Sequence, residues 1–454
     1  MKNVIVIGAG LGGLSVASAL LKAGFKVKIF EKTSHIGGRC RSIWLGNEEF
    51  GRYPFDVGPI FSGTNIIKLI KNELKEKPNF KPEFVKIYIF SNKKFLMNMP
   101  PRHHLLKNLK KMGFSFSESI FFIYKLWKQR QFDSYSYMDS HNDIACFLTK
   151  NQLMRNILNM RAGLFHGCLP DDMPGYTFNA KDYGRPFYPS GGMQKIPDTF
   201  LNVIKKYNGQ IYTNMSVDKI LIENNKTVGV VVQGEFIKAD FVISAISIVE
   251  TVLKLCKGVS FKNEFLKLIK SYKQGLEVSM FFMIVDKNKI DVEDGNVLYA
   301  FLPESDLNKV MHQLFNGIYP NDPPFGIFFT KSGKFRPVTL LFYTPKGEKN
   351  KKRIIQAGEF LLEIANLAIP NLINAIVWRK IITSLDYPNE IGFKSCVLPV
   401  AESKNYKKVS FQLPIKNLFN VGSSVLPSGG GTVQAVKSGL ECAKFIIKGN
   451  KLCS

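Results

Sequence analysis

Disulfide chemistry has little to work with in this chain. Seven cysteines stand at positions 40, 146, 168, 256, 396, 442 and 453, an odd number with no C-x-x-C pair. That pattern excludes a zinc ribbon or a disulfide framework and points to a reducing compartment. No window offers about eighteen uninterrupted apolar residues, so no transmembrane helix is expected. Fixed-period repeats and low-complexity stretches are missing too. Glycine at 36 and proline at 22 are near average, which removes the collagen-like and low-complexity classes. Acid is in short supply: 36 Asp and Glu stand against 62 Lys and Arg, for a net charge of +26. Such a field favours anionic partners, whether nucleic acid, anionic lipid or acidic substrates. The plainer reading is lysine spread over solvated surface, because the lysines are scattered rather than gathered in one tail.

What is present is a large globular chain. Its 454 residues exceed the usual single domain, and 45% of them are apolar, far too many for disorder. The opening MKNVIVIGAG has too short an apolar run for a signal peptide and flows directly into a turn. A cytoplasmic protein, with or without peripheral membrane contact, is therefore expected. Asn3 to Ile7 reads as a buried strand, Leu11 to Ala23 as a helix and Lys26 to Phe30 as a second strand, together one βαβ unit. Residues from about 90 to 190 read as helical, aromatic and basic, with turns at Met99–Pro101 and Leu169–Pro174. β runs follow at Lys226–Gln233, Glu235–Ala245, Val278–Val285, Gly326–Thr330 and Val338–Tyr343. Lys351–Ala368 reads as a long amphipathic helix. Asn417–Val421 reads as a strand before a glycine loop and a helix from about 432 to 447.

The strongest chemical signal is Gly8-Ala9-Gly10-Leu11-Gly12-Gly13, a G-x-G-x-x-G between a strand and a helix. Gly8 permits the tight turn, Gly10 lets a pyrophosphate approach the backbone, and Gly13 lets the helix pack on the sheet. The anion then meets the helix N-terminus, whose free N–H groups favour negative charge. Glu31 ends the second strand at about the 20-residue spacing of the acid that binds a ribose hydroxyl. Lys32 follows it directly. A second cradle is at Gly37-Gly38-Arg39, where two glycines allow close approach and the arginine can neutralise a diphosphate.

With Gly37-Gly38-Arg39-Cys40-Arg41-Ser42 the chain resembles FAD-dependent amine oxidases and phytoene desaturases, and the resemblance runs in order to about residue 447. Phe55-Asp56-Val57-Gly58-Pro59 looks like that family's turn against the flavin. Tyr188-Pro189-Ser190-Gly191-Gly192-Met193 resembles its P-x-G-G-M. Val217 matches the valine whose backbone meets the adenine. Gly422, Ser423, Gly431, Thr432 and Val433 fall in the closing flavin-binding motif. The final helix, starting at Gly431 and Thr432, is suited to stabilising negative charge on a flavin during reduction. Ser423 departs from the acid that many members carry there. No cysteine stands at the closing glycine–threonine turn, so the resemblance implies non-covalent FAD.

The expected fold is therefore α/β: a doubly wound, Rossmann-like FAD-binding domain with an interleaved α+β substrate domain. The FAD domain is assigned 1–90, 188–250 and 386–454, and the substrate domain 91–187 and 251–385. Within the superfamily the spacing of the closing motif is most similar to phytoene desaturases and carotenoid isomerases. That implies desaturation, isomerisation or saturation of a hydrophobic polyene or isoprenoid substrate. Two alternatives stay open: an amine or protoporphyrinogen oxidase using oxygen, and a non-catalytic flavoprotein scaffold at a membrane. No catalytic acid or base is identified. Arg161, His166 and Asp171 are candidates for a proton acceptor, set against an ordinary structural role. No metal site is expected; His103 and His104 have no third ligand partner. Residues 102–130 carry Arg102, Lys107, Lys110, Lys111, Lys125, Lys128 and Arg130 among Phe114, Phe116, Phe121, Phe122, Tyr124 and Trp127, against Glu118 alone. They read either as an anionic-membrane surface or as a cap helix with its aromatics inward. No nucleic-acid partner is expected, and the oligomeric state is left open.

Overall fold

The structure, a computed structural model, describes residues 1–91, 94–99, 105–131, 139–178, 183–427 and 430–451. Of the residues singled out above, Pro100, Pro101, Arg102, His103, His104 and Cys453 lie outside that set.

A five-stranded parallel sheet takes its strands from across the chain. Its order is Leu418–Asn420, Phe241–Ser244, Asn3–Ile7, Lys26–Phe30 and Gln210–Tyr212. The opening strand is central and, past the exposed Asn3, apolar throughout, as a strand buried on both faces must be. Its side chains alternate between two cores. Val4 and Val6 meet the core shared with the helices Leu11–Lys22, Lys195–Lys206 and Gly431–Lys451. Ile5 and Ile7 meet a second core, with Val217, Ile220 and Val230. Those residues belong to a three-stranded antiparallel sheet, Val217–Glu223, Lys226–Val232 and Glu235–Lys238, which covers that face.

The second large sheet runs Ile376–Ile382, Glu277–Asp286, Phe335–Thr344, Phe325–Phe329, Asn296–Leu302, Pro82–Ser91, Pro186–Pro189 and Ser62–Gly63, with Lys94–Met99 paired onto Pro82–Ser91. This shifts the expected domain boundaries. Residues 62–63, 82–91 and 186–189, assigned by sequence wholly or partly to the FAD-binding segments, hydrogen-bond into the substrate-side sheet. Pro82–Ser91 is a strand because its alternating apolar residues Val85, Ile87 and Ile89 find cover only there. Residues 90–190 are accordingly not all helical.

The basic segment forms the helices Leu105–Lys111 and Phe116–Gln131. Its aromatics do not all turn one way. Phe114 and Phe122 pack inward, whereas Phe116, Phe121, Tyr124 and Trp127 stand exposed. Among the described residues no helix is long and apolar enough to cross a membrane.

The final helix packs directly on the first. A Cβ on Gly439 would stand 2.1 Å from Ser15 Oγ and 2.5 Å from the Gly12 carbonyl oxygen, whereas one on Gly449 of the same helix would meet nothing within 4 Å. Gly439→Ala is therefore expected to destabilise the fold by about 1–3 kcal/mol through overpacking. Gly449→Ala is expected to stabilise it by up to about 1 kcal/mol through helix propensity. Denaturant unfolding of both variants checks the opposite signs.

Candidate flavin-binding active site

The loop after the first strand and the loop after the second meet at the top of the parallel sheet. Gly8 has φ +94°, a conformation open to glycine, and its N–H donates to the Phe30 carbonyl at 2.8 Å. Glu31 is buried just past the second strand. One carboxylate oxygen accepts from the Ala9 N–H at 2.8 Å, and the other accepts from the Thr33 N–H at 2.9 Å and its hydroxyl at 2.8 Å. The second glycine pair closes on the first. Gly37 N–H donates to the Ala9 carbonyl at 2.8 Å, and a Cβ on Gly38 would lie 3.2 Å from Gly10 Cα. Gly13 packs helix on sheet as expected, since its Cβ would stand 2.2 Å from the Gly8 carbonyl oxygen.

The closing segment completes the ring. Gly12 and Gly422 approach so closely that a Cβ on Gly12 would lie 2.9 Å from Gly422 Cα. Arg39 reaches across, donating to Ser423 Oγ at 2.8 Å and to the Val397 carbonyl at 2.6 Å. From behind the loop, Lys408 donates to the Ser423 carbonyl at 2.9 Å while forming a buried ion pair with Glu402. Thr432 Oγ1, in the first turn of the final helix, pairs with Ser62 Oγ at 2.7 Å.

These loops open into a cavity of about 1630 Å³. It has two chemistries. One end is lined by Gly8, Gly10, Gly12, Glu31, Lys32, Thr33, Gly38, Arg39, Gly58, Gly422, Ser423, Gly431 and Thr432. The other is an apolar chamber whose walls include Ile87, Met97, Phe122, Leu126, Met154, Leu164, Met280, Leu298 and Leu341. Those residues come from the large sheet and from the helices above it.

Most of the glycines and polar residues picked from sequence thus share one wall. Ala9, Gly13, Val217 and Val433 do not line the cavity. Ala9 instead orients Glu31, and Gly13 packs the helix. Val217 opens its strand beside the segment whose Met215 N–H donates to the Glu31 carbonyl at 2.9 Å. Of the three proton-acceptor candidates, Arg161 and His166 line the cavity. Asp171 lies elsewhere, bonded to His312 at 2.7 Å and Asn308 at 3.2 Å, so the three do not form one cluster. The sequence reading missed Thr33, Arg41 and Tyr183 as lining residues. Arg41 was legible two positions past Arg39; nothing in the sequence around Tyr183 marks it.

The cradle fits a dinucleotide by its own geometry. A Cβ on Gly10 would meet no protein atom within 4 Å, so this glycine faces open space rather than a packed neighbour. Burial pulls the Arg39 guanidinium below its ordinary pKa, and among the described residues its hydrogen-bond partners are carbonyls and a hydroxyl, not a carboxylate. A half-buried cation on the cavity wall with no carboxylate partner suits an anion such as a diphosphate.

Comparison with known proteins gives the same reading. Residues 11–254, more than half of the chain, match the family model for flavin-containing amine oxidoreductases. The chain belongs to that family. It is a flavin-dependent oxidoreductase, with FAD as its cofactor. Among curated relatives it is 24% identical to the 4,4'-diaponeurosporene oxygenase of Staphylococcus haemolyticus, over 98% of this chain and 97% of that one. It is 23% identical to the 1-hydroxycarotenoid 3,4-desaturase of Flavobacterium sp., over 95% and 96%. Its fold is similar to that of an oxidoreductase from Methanosarcina mazei, with TM-score 0.71, 19% identity, and 97% and 100% of the two chains covered.

One carboxyl ties the flavoenzyme's segments together without entering the cavity. Asp56 is buried where the turn Phe55–Pro59 meets the middle segment. Its Oδ1 accepts from Ser42 Oγ at 2.5 Å and from the Met193 N–H at 3.0 Å. Burial outweighs these bonds and pushes its pKa up to about 6. A raised carboxyl pKa contributes stability that is full below the unfolded value near 4 and is lost as pH rises through about 6. The unfolding free energy of the parent relative to Asp56→Asn is expected to fall by about 3 kcal/mol between pH 4 and pH 8. Denaturant titrations of the pair across that range measure it. Arg39→Met is expected to raise the dissociation constant for FAD by about 10- to 100-fold, the range for a charge-assisted hydrogen bond. Fluorescence of released flavin reads that change.

Proposed function

We propose that this flavoenzyme acts on a long hydrophobic polyene or isoprenoid lipid, by desaturation, isomerisation or saturation. The observation that carries this reading is the apolar chamber continuous with the cofactor cradle. At about 1630 Å³ the whole cavity exceeds the usual ~300–1,000 Å³ of a small-molecule site. There is room for a dinucleotide and a long chain end to end. The names of the two full-length relatives, both carotenoid-modifying enzymes, support the same class.

Bound FAD supplies a two-electron hydride acceptor or donor. The chain's own part is to bind, orient and exclude water. We assign the cofactor contacts to Gly8, Gly10, Glu31, Lys32, Gly38, Arg39, Gly58, Gly422, Ser423, Gly431 and Thr432. Ala9, Gly13, Val217 and Val433 support them from behind. Leu164, Met280, Leu298 and Leu341 hold the substrate by apolar contact, which fixes position without naming a functional group.

A finer reading concerns how such a substrate arrives. Helix Phe116–Gln131 lends Phe122 and Leu126 to the chamber wall. Its outer face presents Phe116, Phe121, Tyr124 and Trp127, with Phe147 beside it. Lys125 lies over the Phe121 and Phe147 rings at 4.5 and 4.7 Å, and Lys107, Lys110, Lys111 and Lys128 add charge nearby in the chain. Aromatics ringed by lysines match the interface of an anionic bilayer. We assign this face to that membrane, so that a lipid passes into the chamber without crossing water.

Pigment analysis of cells that supply C30 and C40 polyenes, with and without this chain, tests the substrate class. A longer chromophore indicates desaturation, a shorter one saturation, and unchanged mass with altered retention isomerisation. Unchanged pigments from a protein that holds FAD would sink the polyene reading. The double substitution Phe121→Ser, Trp127→Ser is expected to cut co-sedimentation with anionic vesicles by about 10-fold and leave flavin content unchanged. Added salt is expected to weaken the parent's binding as charge is screened.

A further inference from the structure

Among the described residues four that line the cavity, Arg41, His166, Tyr387 and Ser395, carry a buried polar atom with no hydrogen-bond partner, and His166 is the one set against the closing loop at Gly430. His166 follows the π-helical turn Arg161–Phe165, and its ring lies against the closing loop. A Cβ built on Gly430 would stand 3.6 Å from His166 Cε1. The residue lines the cavity, yet its Nδ1 is buried and has no hydrogen-bond partner. The polar groups around it have partners of their own. Arg161 donates to the Thr177 carbonyl at 2.6 Å, and Tyr343 donates to the Leu164 carbonyl at 2.5 Å. Desolvation, then the charges of Arg161, His141 and Lys408, hold the imidazole well below its ordinary pKa. It is therefore neutral, with one donor and one acceptor, and a poor proton acceptor. Buried polar groups are nearly always paired, and one left alone disfavours whatever state leaves it so. As placed, Nδ1 is turned away from the open space, so it is a half-turn of the ring that lets it meet a ligand. A hydrocarbon filling the chamber offers no partner to either nitrogen, whereas an oxygen on the ligand does.

Resting on the polyene reading above, we propose that His166 determines specificity by hydrogen-bonding an alcohol or carbonyl oxygen at the leading end of the substrate. The preferred substrate class is then an end-oxygenated polyene rather than the plain hydrocarbon. A half-turn about χ2 exchanges Nδ1 with Cδ2, so either ring nitrogen can face the ligand. Because His166 stands at Gly430, next to Gly431 and Thr432, the anchor draws the bonds nearest the oxygen towards the cofactor seat. The rest of the chain extends along the apolar wall. No bond is made or broken by His166 in this role.

The test is equilibrium binding to the FAD-loaded full chain under anaerobic conditions, with two probes: an acyclic C30 polyene and its terminal aldehyde. The aldehyde is expected to bind at least about 10-fold tighter, the scale of one satisfied hydrogen bond. Its visible band is expected to shift to the red as the carbonyl accepts a hydrogen bond. His166→Leu is expected to bring the two probes to parity and abolish the shift, with hydrocarbon binding retained. His166→Gln is expected to restore part of both. Parity and no shift in the parent, which needs no variant to fold, overturns the proposal and leaves the polyene reading standing. A preference that survives His166→Leu overturns it too. Binding of neither probe overturns the polyene reading and this proposal with it.

Discussion

Two backbones that meet with no side chain between them hold this molecule's site in being. Gly12, at the start of the first helix, and Gly422, in the last segment, are in van der Waals contact. The closed side of the cradle follows from that approach. It brings Ser423 within reach of Arg39, and it sets the final helix against the first, so that Thr432 faces the cavity. The contact is buttressed by charge from both sides: Arg39 holds the Ser423 hydroxyl and Lys408 holds its carbonyl. Lys408 is itself buried and is tolerated because Glu402 is buried beside it. Removing one partner of such a pair costs more than the pair contributes, so the loop is held by groups that cannot easily be lost one at a time.

The cavity divides labour along its length. At one end, backbone N–H groups, glycines and an uncompensated arginine make a place for a charged cofactor. At the other, side chains from the large sheet and several helices exclude water. Flavin chemistry asks little more of a protein than this placement. The few polar residues in the chamber therefore carry information out of proportion to their number.

Local features were legible in the sequence and pairings across hundreds of residues were not. The glycine turn, Glu31 and the first helix could be read because spacing alone constrains them. The same holds for helix Lys351–Ala368, whose 3.6-residue period is carried within one segment. Most of strand Pro82–Ser91 fell within the stretch assigned to the FAD-binding domain, because its partner, Asn296–Leu302, is chosen by tertiary cover and not by any nearby signal. Asp171 looked like a neighbour of His166 because the two are close in the chain. The turn between them sends its carboxylate to His312 instead. Residues in the basic helix split between core and surface because hydrophobic content alone does not say which aromatic faces inward.

The parallel sheet gathers its outermost strand from Leu418–Asn420, and the closing loop lies beyond it. A ribosome delivers these pieces last. The nascent chain can build the βαβ unit early, but it has no complete seat for FAD until nearly all of it has emerged. Loading of the flavin is therefore expected to wait for the closing loop, and products cut short before residue 418 are expected to hold none, so flavin content would count closed chains.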